Sequence, residues 1–277
     1  MERIPVEDDF NDILGKAQKG LKLATEELAE KLGMPERSIR DARRGVFEES
    51  VVASLAAGLE LKAEPLLKIA KGEWYPEQPQ AIDGFAMVTT PFYDMTVNAF
   101  LAWDPGTQRA IAFDTGTDAE AMVAAVESRG LNLDTIFITH THGDHIACLE
   151  ELAHRFHCKV ACPAGEPKCP SNAEGIGFAY KGRFDGIEIE AMETTGHTEA
   201  GTSYQVKGLS VPIAVAGDAL FAGSMGGANV SYGDSLAGLK RLLSLRDETV
   251  LAPGHGPLTT VGQEKRMNCF FSGSSGL

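Results

Sequence analysis

Seven histidines occur in this 277-residue sequence, and three of them crowd into the hexapeptide His140-Thr141-His142-Gly143-Asp144-His145. His197 follows the strand-like run EAMETTG, Asp218 closes the apolar run VPIAVAGD, and His255 sits in APGHGP. Each stands at the C-terminal end of an apolar run beside Gly, Thr or Pro, where loops present side chains above a rigid sheet. Four metal-competent residues in six positions have no core-packing rationale, because unpaired they would carry desolvation costs without partners. Imidazole and carboxylate are ligands that borderline divalent ions accept, and five His with two Asp are more than one tetrahedral ion needs. Two metals are implied. A pair about 3.5–4 Å apart, sharing a carboxylate and a solvent oxygen, would make hydroxide near neutrality and act as a Lewis acid on a carbonyl or phosphoryl oxygen, so hydrolysis is the expected chemistry. His154 and His157, on the helix beyond the hexapeptide, are read as structural.

The elements that must hold these residues change character along the chain. From Phe10 to Lys71 the text is helical: ATEELAEKLG puts Leu28, Ala29 and Leu32 on one face and Gly33 at the stop, and RSIRDARRG reads as a second helix after a short turn. WYPEQPQ, with Pro76 and Pro79, reads as the linker. Beyond it FAMVTT, NAFLAW, RAIAFDTG, DTIFITH, CKVACP, IEIEAMETTG, TSYQVKG, VPIAVAGD and ETVLAPGHG read as strands, with DAEAMVAAVESRG and IACLEELAHRF as helices. The expectation is an α/β chain of two sheets sandwiched between helices, with a small all-α domain over residues 1–78 and a catalytic domain over 79–277.

The order His140-x-His142-x-Asp144-His145, His197, Asp218, His255 resembles the metallo-β-lactamase superfamily of dinuclear hydrolases, over about two hundred residues from Gly84 to Phe271. That resemblance implies the αβ/βα sandwich. It implies one metal on His140, His142 and His197, a second on Asp144, His145 and His255, and Asp218 bridging them. Asp114 in AFDTG matches an early Asp that in this family orients the metal loop from behind. True β-lactamases of the family lack a bridging Asp at the position of Asp218, which turns the expectation away from antibiotics. Two Zn2+ are expected, with Fe or Mn accepted by the same ligands.

TTGHTEAGTSY, GDALFAGSMGG and LAPGHGPLTTVGQEKRMNCFF are similar to glyoxalase II and its shorter relatives, which cleave thioesters of hydroxyacids. The resemblance implies attack by a metal-bridging hydroxide on a thioester or related ester, with Asp144 and Asp218 as catalytic carboxylates. Tyr204, Ser224, Asn229 and Tyr232, read as loop residues after the metal motifs, are candidates for substrate contact. Where glyoxalase II has Asn-Pro-Phe and then basic residues for glutathione, this chain reads Asn268-Cys269-Phe270 and ends in SGSSGL, leaving Lys265 and Arg266 as substitutes for the anchor and the thiol open.

The stretch ATEELAEKLGMPERSIRDARRG resembles the helix-turn-helix of the Cro/repressor-like family, which would put Arg37, Arg40, Arg43 and Arg44 on or near a groove-facing helix. Residues 1–80 nevertheless hold 12 Lys and Arg against 16 Asp and Glu, and DNA binding needs a basic footprint. Two readings stand: duplex DNA contacted through residues 24–45, or a helical docking module, a homodimer included. Three functions follow: a zinc hydrolase with an accessory module, a DNA-binding regulator whose metal domain senses or processes a small metabolite, and an iron-dependent redox enzyme on the same ligands.

Composition sets the outer limits. A formal charge of −14 argues against a nucleic-acid coat protein or a partner of anionic lipid. The start, MERIPVEDDF, has no export signal, and no stretch reaches the roughly 20 apolar residues that span a bilayer, so a cytoplasmic protein without membrane contact is expected. Five cysteines, an odd number, favour reduced thiols, and Cys158, Cys162 and Cys169 lack the paired spacing of a zinc ribbon.

Overall fold

Strands covered by helices on one face and by a second sheet on the other are buried on both sides, and the runs IAVAG and VLAP accordingly read as unbroken apolar text. The computed structural model describes residues 3–271; the SGSSGL ending lies outside them. Strands β1 (Phe85–Phe92), β2 (Met95–Trp103), β3 (Arg109–Phe113), β4 (Asn132–Phe137), β5 (Lys159–Pro163) and β6 (Glu174–Ile176) form one sheet in that order. The second sheet has the order β12 (Thr259–Thr260), β11 (Val250–Pro253), β10 (Ile213–Gly217), β9 (Thr202–Lys207), β8 (Ile187–Glu193), β7 (Lys181–Phe184). Alternation sorts their side chains. Phe100, Phe113 and Phe137 meet Tyr204, Val206 and Val215 between the sheets. Leu101, Ala112 and Ile136 face α6 (Ala119–Glu127) and α8 (Leu149–Phe156) on one outer side, beside the short α7 (Gly143–Ile146). Ala214, Ala216 and Leu251 face α9 (Tyr232–Leu243) and α10 (Val261–Met267) on the other.

The N-terminal helices α1 (Phe10–Gly20), α2 (Thr25–Leu32), α3 (Glu36–Ala42), α4 (Glu49–Gly58) and α5 (Ala63–Ala70) do not keep a core to themselves. Ile13, Leu28, Ile39, Leu55 and Leu66 belong to the same buried cluster as Leu239, Leu242 and Val261. Gly33 ends α2 in the left-handed conformation, at φ 62°, as its place after Leu32 predicts. The linker is pinned as well: Tyr75 donates to the Ile4 carbonyl at 2.9 Å and Gln78 to the Leu258 carbonyl at 2.9 Å.

Three expectations need correction. Tyr204 lies in the middle of β9, fully buried, and its hydroxyl donates to the Ile138 carbonyl at 2.6 Å, so it is a core residue with no path to substrate. Tyr232 opens α9 instead of lying in a loop. Cys162 is joined to Cys169 in a disulfide, because the β5 end and the following turn bring their Cα atoms to 5.9 Å; Cys148, Cys158 and Cys269 are free thiols. Among the described residues no helix is long and apolar enough to cross a membrane.

Candidate metal centre

The strand ends converge at one edge of the sandwich. Asp114 follows β3 at φ 56°, a left-handed conformation that Asp tolerates better than most residues, with its N–H held by the Phe137 carbonyl at 2.8 Å. From there its carboxylate accepts from the Thr139 N–H (2.8 Å) and hydroxyl (2.7 Å), and lies 2.8 Å from His145 Nδ1. The loop after β4 carries His140 and His142, and α7 carries Asp144 and His145. Gly217, at φ 50°, turns β10 so that Asp218 faces the same space. His197 and His255 come from the loops after β8 and β11.

The side chains meet in two groups. His140, His142, His197 and Asp218 hold their candidate ligand atoms within 4.8 Å of one another, and so do Asp144, His145 and His255. His142 Nδ1 is 3.0 Å from His140 Nε2 and 2.9 Å from His197 Nε2. Asp218 faces both sets: Oδ2 is 3.3 Å from His197 Nε2, and Oδ1 is 3.3 Å from His145 Nε2 and 3.6 Å from His255 Nε2. Asp144 Oδ2 lies 3.2 Å from His255 Nε2. The outer ring nitrogens have partners behind them, Gly227 carbonyl for His197 and Thr96 carbonyl for His255, each at 2.7 Å, with Asp114 behind His145. Such backing fixes the tautomer that leaves Nε2 free to ligate.

Charge and burial complete the picture. Burial, with the neighbouring His145, pushes His140 well below its ordinary range, and burial with His197 lowers His142. His145 moves the other way: against the cost of burial, Asp218 and Asp114 hold it well above. Asp218, although buried, is drawn well below the usual carboxylate range by His145, and Asp144 is lowered despite burial by its bond to His255. His145 Nε2 and Asp218 Oδ1 are buried without a hydrogen-bond partner, and a Cβ at Gly254 would come within 2.4 Å of that Asp218 oxygen. Orphaned ligand atoms around a cradle that excludes even a methyl group fit cations of the kind His and Asp accept.

The remaining candidates divide. Ser224 is fully buried, hydrogen-bonded to Asp8, and so is removed from substrate contact because the N-terminal segment covers it. Asn229 and Tyr232 line a hollow with Lys19 and Lys22 whose walls include none of the candidate ligands. Lys265 is 2.6 Å from Asp247, on the flank of α10. Arg37 and Arg40 pair with Asp41 and Glu36 on their own helix, Arg43 bonds to Gln18, and Arg44 is exposed.

Sequence reasoning missed Glu166 and Glu7. Glu166 takes the Thr141 N–H and hydroxyl at 2.8 Å each and the Ala200 N–H at 3.2 Å. It thereby ties the His140–His142 loop to the loop beyond His197. Glu7 lies beside His255, where burial raises its carboxyl to about 7. Neither has a local signal, since GEPK and PVEDD read as ordinary surface turns.

A family model described as the metallo-beta-lactamase superfamily matches residues 93–255. The chain belongs to this superfamily. Among its relatives, the hydroxyacylglutathione hydrolase GloC of Haemophilus influenzae is 30% identical over 202 residues, 64% of this chain and 94% of that one. The probable metallo-hydrolase YqgX of Bacillus subtilis is 28% identical over 60% of this chain and 89% of its own. Against the hydroxyacylglutathione hydrolase of Xanthomonas euvesicatoria identity is 32%, over 59% of this chain and only 62% of the enzyme. Two solved structures align with TM-scores of 0.57 and 0.55: ETHE1 from Myxococcus xanthus, 25% identical over 66% of this chain and 83% of that one, and TTHA1623 in a di-iron-bound form, 26% identical over 66% and 99%. The chain is a metal-dependent hydrolase of the superfamily, and its N-terminal helices lie outside the family match.

Proposed function

We propose that the protein is a dinuclear zinc hydrolase that cleaves a thioester or related ester. The observation that carries this reading is Asp218, whose two oxygens face two separate sets of imidazoles, one of them through the orphaned His145 Nε2. His140, His142 and His197 would hold one cation, Asp144, His145 and His255 the other, and Asp218 both; iron or manganese suits the same donors. Bound there, the ions would supply Lewis acidity toward a carbonyl oxygen and a nucleophilic water at neutral pH. Asp144 and Asp218, both drawn toward the ionised form, would orient that water. Phe221 and Met95 offer apolar surface in the adjoining cleft to an acyl chain. A thioester suits this site because thiols ionise near 8.5, so a thiolate leaves with little help from a proton donor. The names of the hydroxyacylglutathione hydrolase relatives support the same bond class.

The test joins metal analysis of the natively expressed protein with turnover of an S-hydroxyacyl glutathione. About two equivalents of metal per chain, predominantly zinc, and a loss of turnover beyond a hundredfold in Asp218→Ala are expected. A metal-free protein, or undiminished turnover in that variant, overturns the proposal, and iron as the native metal redirects it toward redox chemistry.

A further inference from the structure

A cleft of about 800 Å³ opens onto Asp218 and His255, and its opposite wall comes from the N-terminal segment and helices, which bring Glu7, Lys16, Lys19 and Arg43 to it. Two acidic groups of that wall are engaged: Asp8 holds Lys16 at 2.6 Å and accepts from Ser224, and Asp12 accepts the Asp9 N–H at 3.1 Å. Glu7 lies against His255, and the carboxylates of Asp9, at the cap of α1 without a side-chain cap bond, and of Asp94, in the turn between β1 and β2, line the same cleft.

Two cations of the same wall have no such partner. Among the described residues the only side-chain hydrogen bond of Lys19 is to Asn229 Oδ1, at 3.5 Å, and that of Arg43 is to Gln18 Oε1, at 2.8 Å. Arg43 is nonetheless aimed. Gln18 is 6% exposed, and its amide nitrogen is tied to the Leu23 carbonyl (3.1 Å) and the Thr25 hydroxyl (3.3 Å), which turns its oxygen toward the guanidinium. The guanidinium crosses α1 at Gly15, where a Cβ would come within 2.8 Å of Nη2. From the centre outward, the His255 ring is 5.6 Å from that of Phe221, which Lys16 Nζ faces at 4.8 Å. Lys19 lies about one helical turn, roughly 5 Å, farther along α1.

We propose that Lys19 and Arg43, with Asn229 beside them, form an anion subsite that receives a carboxylate or phosphate on the part of the substrate farthest from the scissile carbonyl. The N-terminal helices thereby become the specificity wall of the hydrolase, built on the opposite end of the chain from Lys265 and Arg266. This inference rests on the hydrolase reading for its substrate, whereas the anion subsite itself can be tested by binding alone.

The experiment uses the full-length, metal-loaded protein and acetyl thioesters of three thiols: N-acetylcysteamine, which is neutral, glutathione, which carries carboxylates, and coenzyme A, which carries phosphates. The wild type is expected to favour an anionic ester, and the identity of the favoured one separates carboxylate from phosphate. In Lys19→Ala and in Arg43→Gln the ratio of kcat/KM for that ester over the neutral one is expected to fall roughly tenfold, mainly through KM, the weight of one charge-assisted hydrogen bond. Lys240→Ala, an exposed lysine on α9 outside the cleft, controls for general loss of positive charge and keeps the wild-type ratio. A ratio unchanged in both cleft variants overturns the subsite, as does a wild-type preference for the neutral ester. If the wild type cleaves none of the three, the hydrolase reading fails by itself, and calorimetric titration with glutathione and with coenzyme A then decides the subsite. Weaker binding of either thiol to Lys19→Ala than to wild type supports it, and equal or undetectable binding of both overturns it.

Discussion

The Glu166 carboxylate grips Thr141 twice, accepting its backbone N–H and its hydroxyl at 2.8 Å each, while its other oxygen accepts the Ala200 N–H at 3.2 Å. Thr141 stands between His140 and His142, and Ala200 lies three residues beyond His197. One buried side chain therefore sets the spacing of three imidazoles that approach from two different loops. Outer contacts of this kind typically control metal affinity by 10–100-fold. Glu166→Ala is expected to weaken metal retention by about that factor, with the circular dichroism of the fold preserved. Glu166→Gln, which keeps an oxygen for Thr141 but opposes its amide hydrogens to the Ala200 N–H, is expected to fall between. Chelator competition against the wild type measures both, and equal retention in all three proteins would remove Glu166 from the centre.

Glu166 also lies inside the loop that the Cys162–Cys169 bridge closes. Closing so short a loop restricts the unfolded chain by roughly 2–3 kcal/mol. A phosphine reductant, or the double substitution of Cys162 and Cys169 by Ala, is expected to lower Tm by about 3–6 °C for a chain of this size. Both should also lower metal retention at the candidate site of His140, His142 and His197, because Glu166 loses its covalent frame. Thermal melts with and without reductant check this, and the double variant should no longer respond to reductant.

The residues that gather at the candidate centre were legible because each is a polar residue at the end of an apolar run, and a buried strand end leaves such a residue few other uses. Asp114, His140, Asp218 and His255 were readable on that ground, and so was the layered fold, since both-face burial of β3, β10 and β11 writes itself as continuous apolar text. Tyr204 was misplaced because it follows closely on the His197 motif and was counted with the loop there, although TSYQVKG itself reads as a strand, and the inward positions of that strand include Tyr204 and Val206. Ser224 was misplaced for a different reason: its partner Asp8 is 216 residues away, and no local pattern reports a contact of that range. The short β6 and β7 lack enough residues to show a period.

Gly254 offers a test of how little slack the centre has. A Cβ there would stand 2.4 Å from Asp218 Oδ1 and 2.7 Å from His145 Cε1, well inside van der Waals contact, so one of the two side chains must move. Gly254→Ala is expected to leave the global fold intact, since the strain falls on a strand-end loop, but to reduce bound metal below the wild-type stoichiometry and to cut turnover by at least tenfold. Metal analysis alongside a thermal melt distinguishes this from simple unfolding: full occupancy at wild-type turnover would mean that the loop can yield.

Glu264 gives the clearest dependence on pH. It is fully buried on the inner face of α10, where burial raises its carboxyl from 4.5 to about 7, even though Asn268, the Gly223 N–H and the Thr259 hydroxyl all favour the charged form. A folded-state value above the unfolded one means that the native protein binds the extra proton. The associated stability is complete below about 4.5 and is lost as pH rises through 7. Glu264→Gln can reproduce the contacts without the charge: its oxygen takes the two donors now 2.9 Å from Oε2, and its amide donates to the Thr259 hydroxyl now 2.8 Å from Oε1. The variant is therefore expected to match the wild type at pH 5 and to exceed it at pH 8, by up to about 3 kcal/mol on the scale of 1.36 kcal/mol per pKa unit. Denaturant unfolding of both proteins at the two pH values measures the difference, in which titrations common to both cancel. A gap that is the same at pH 5 and pH 8 would show that Glu264 stays ionised in the fold, and a variant less stable at pH 8 would show that its charge is wanted there.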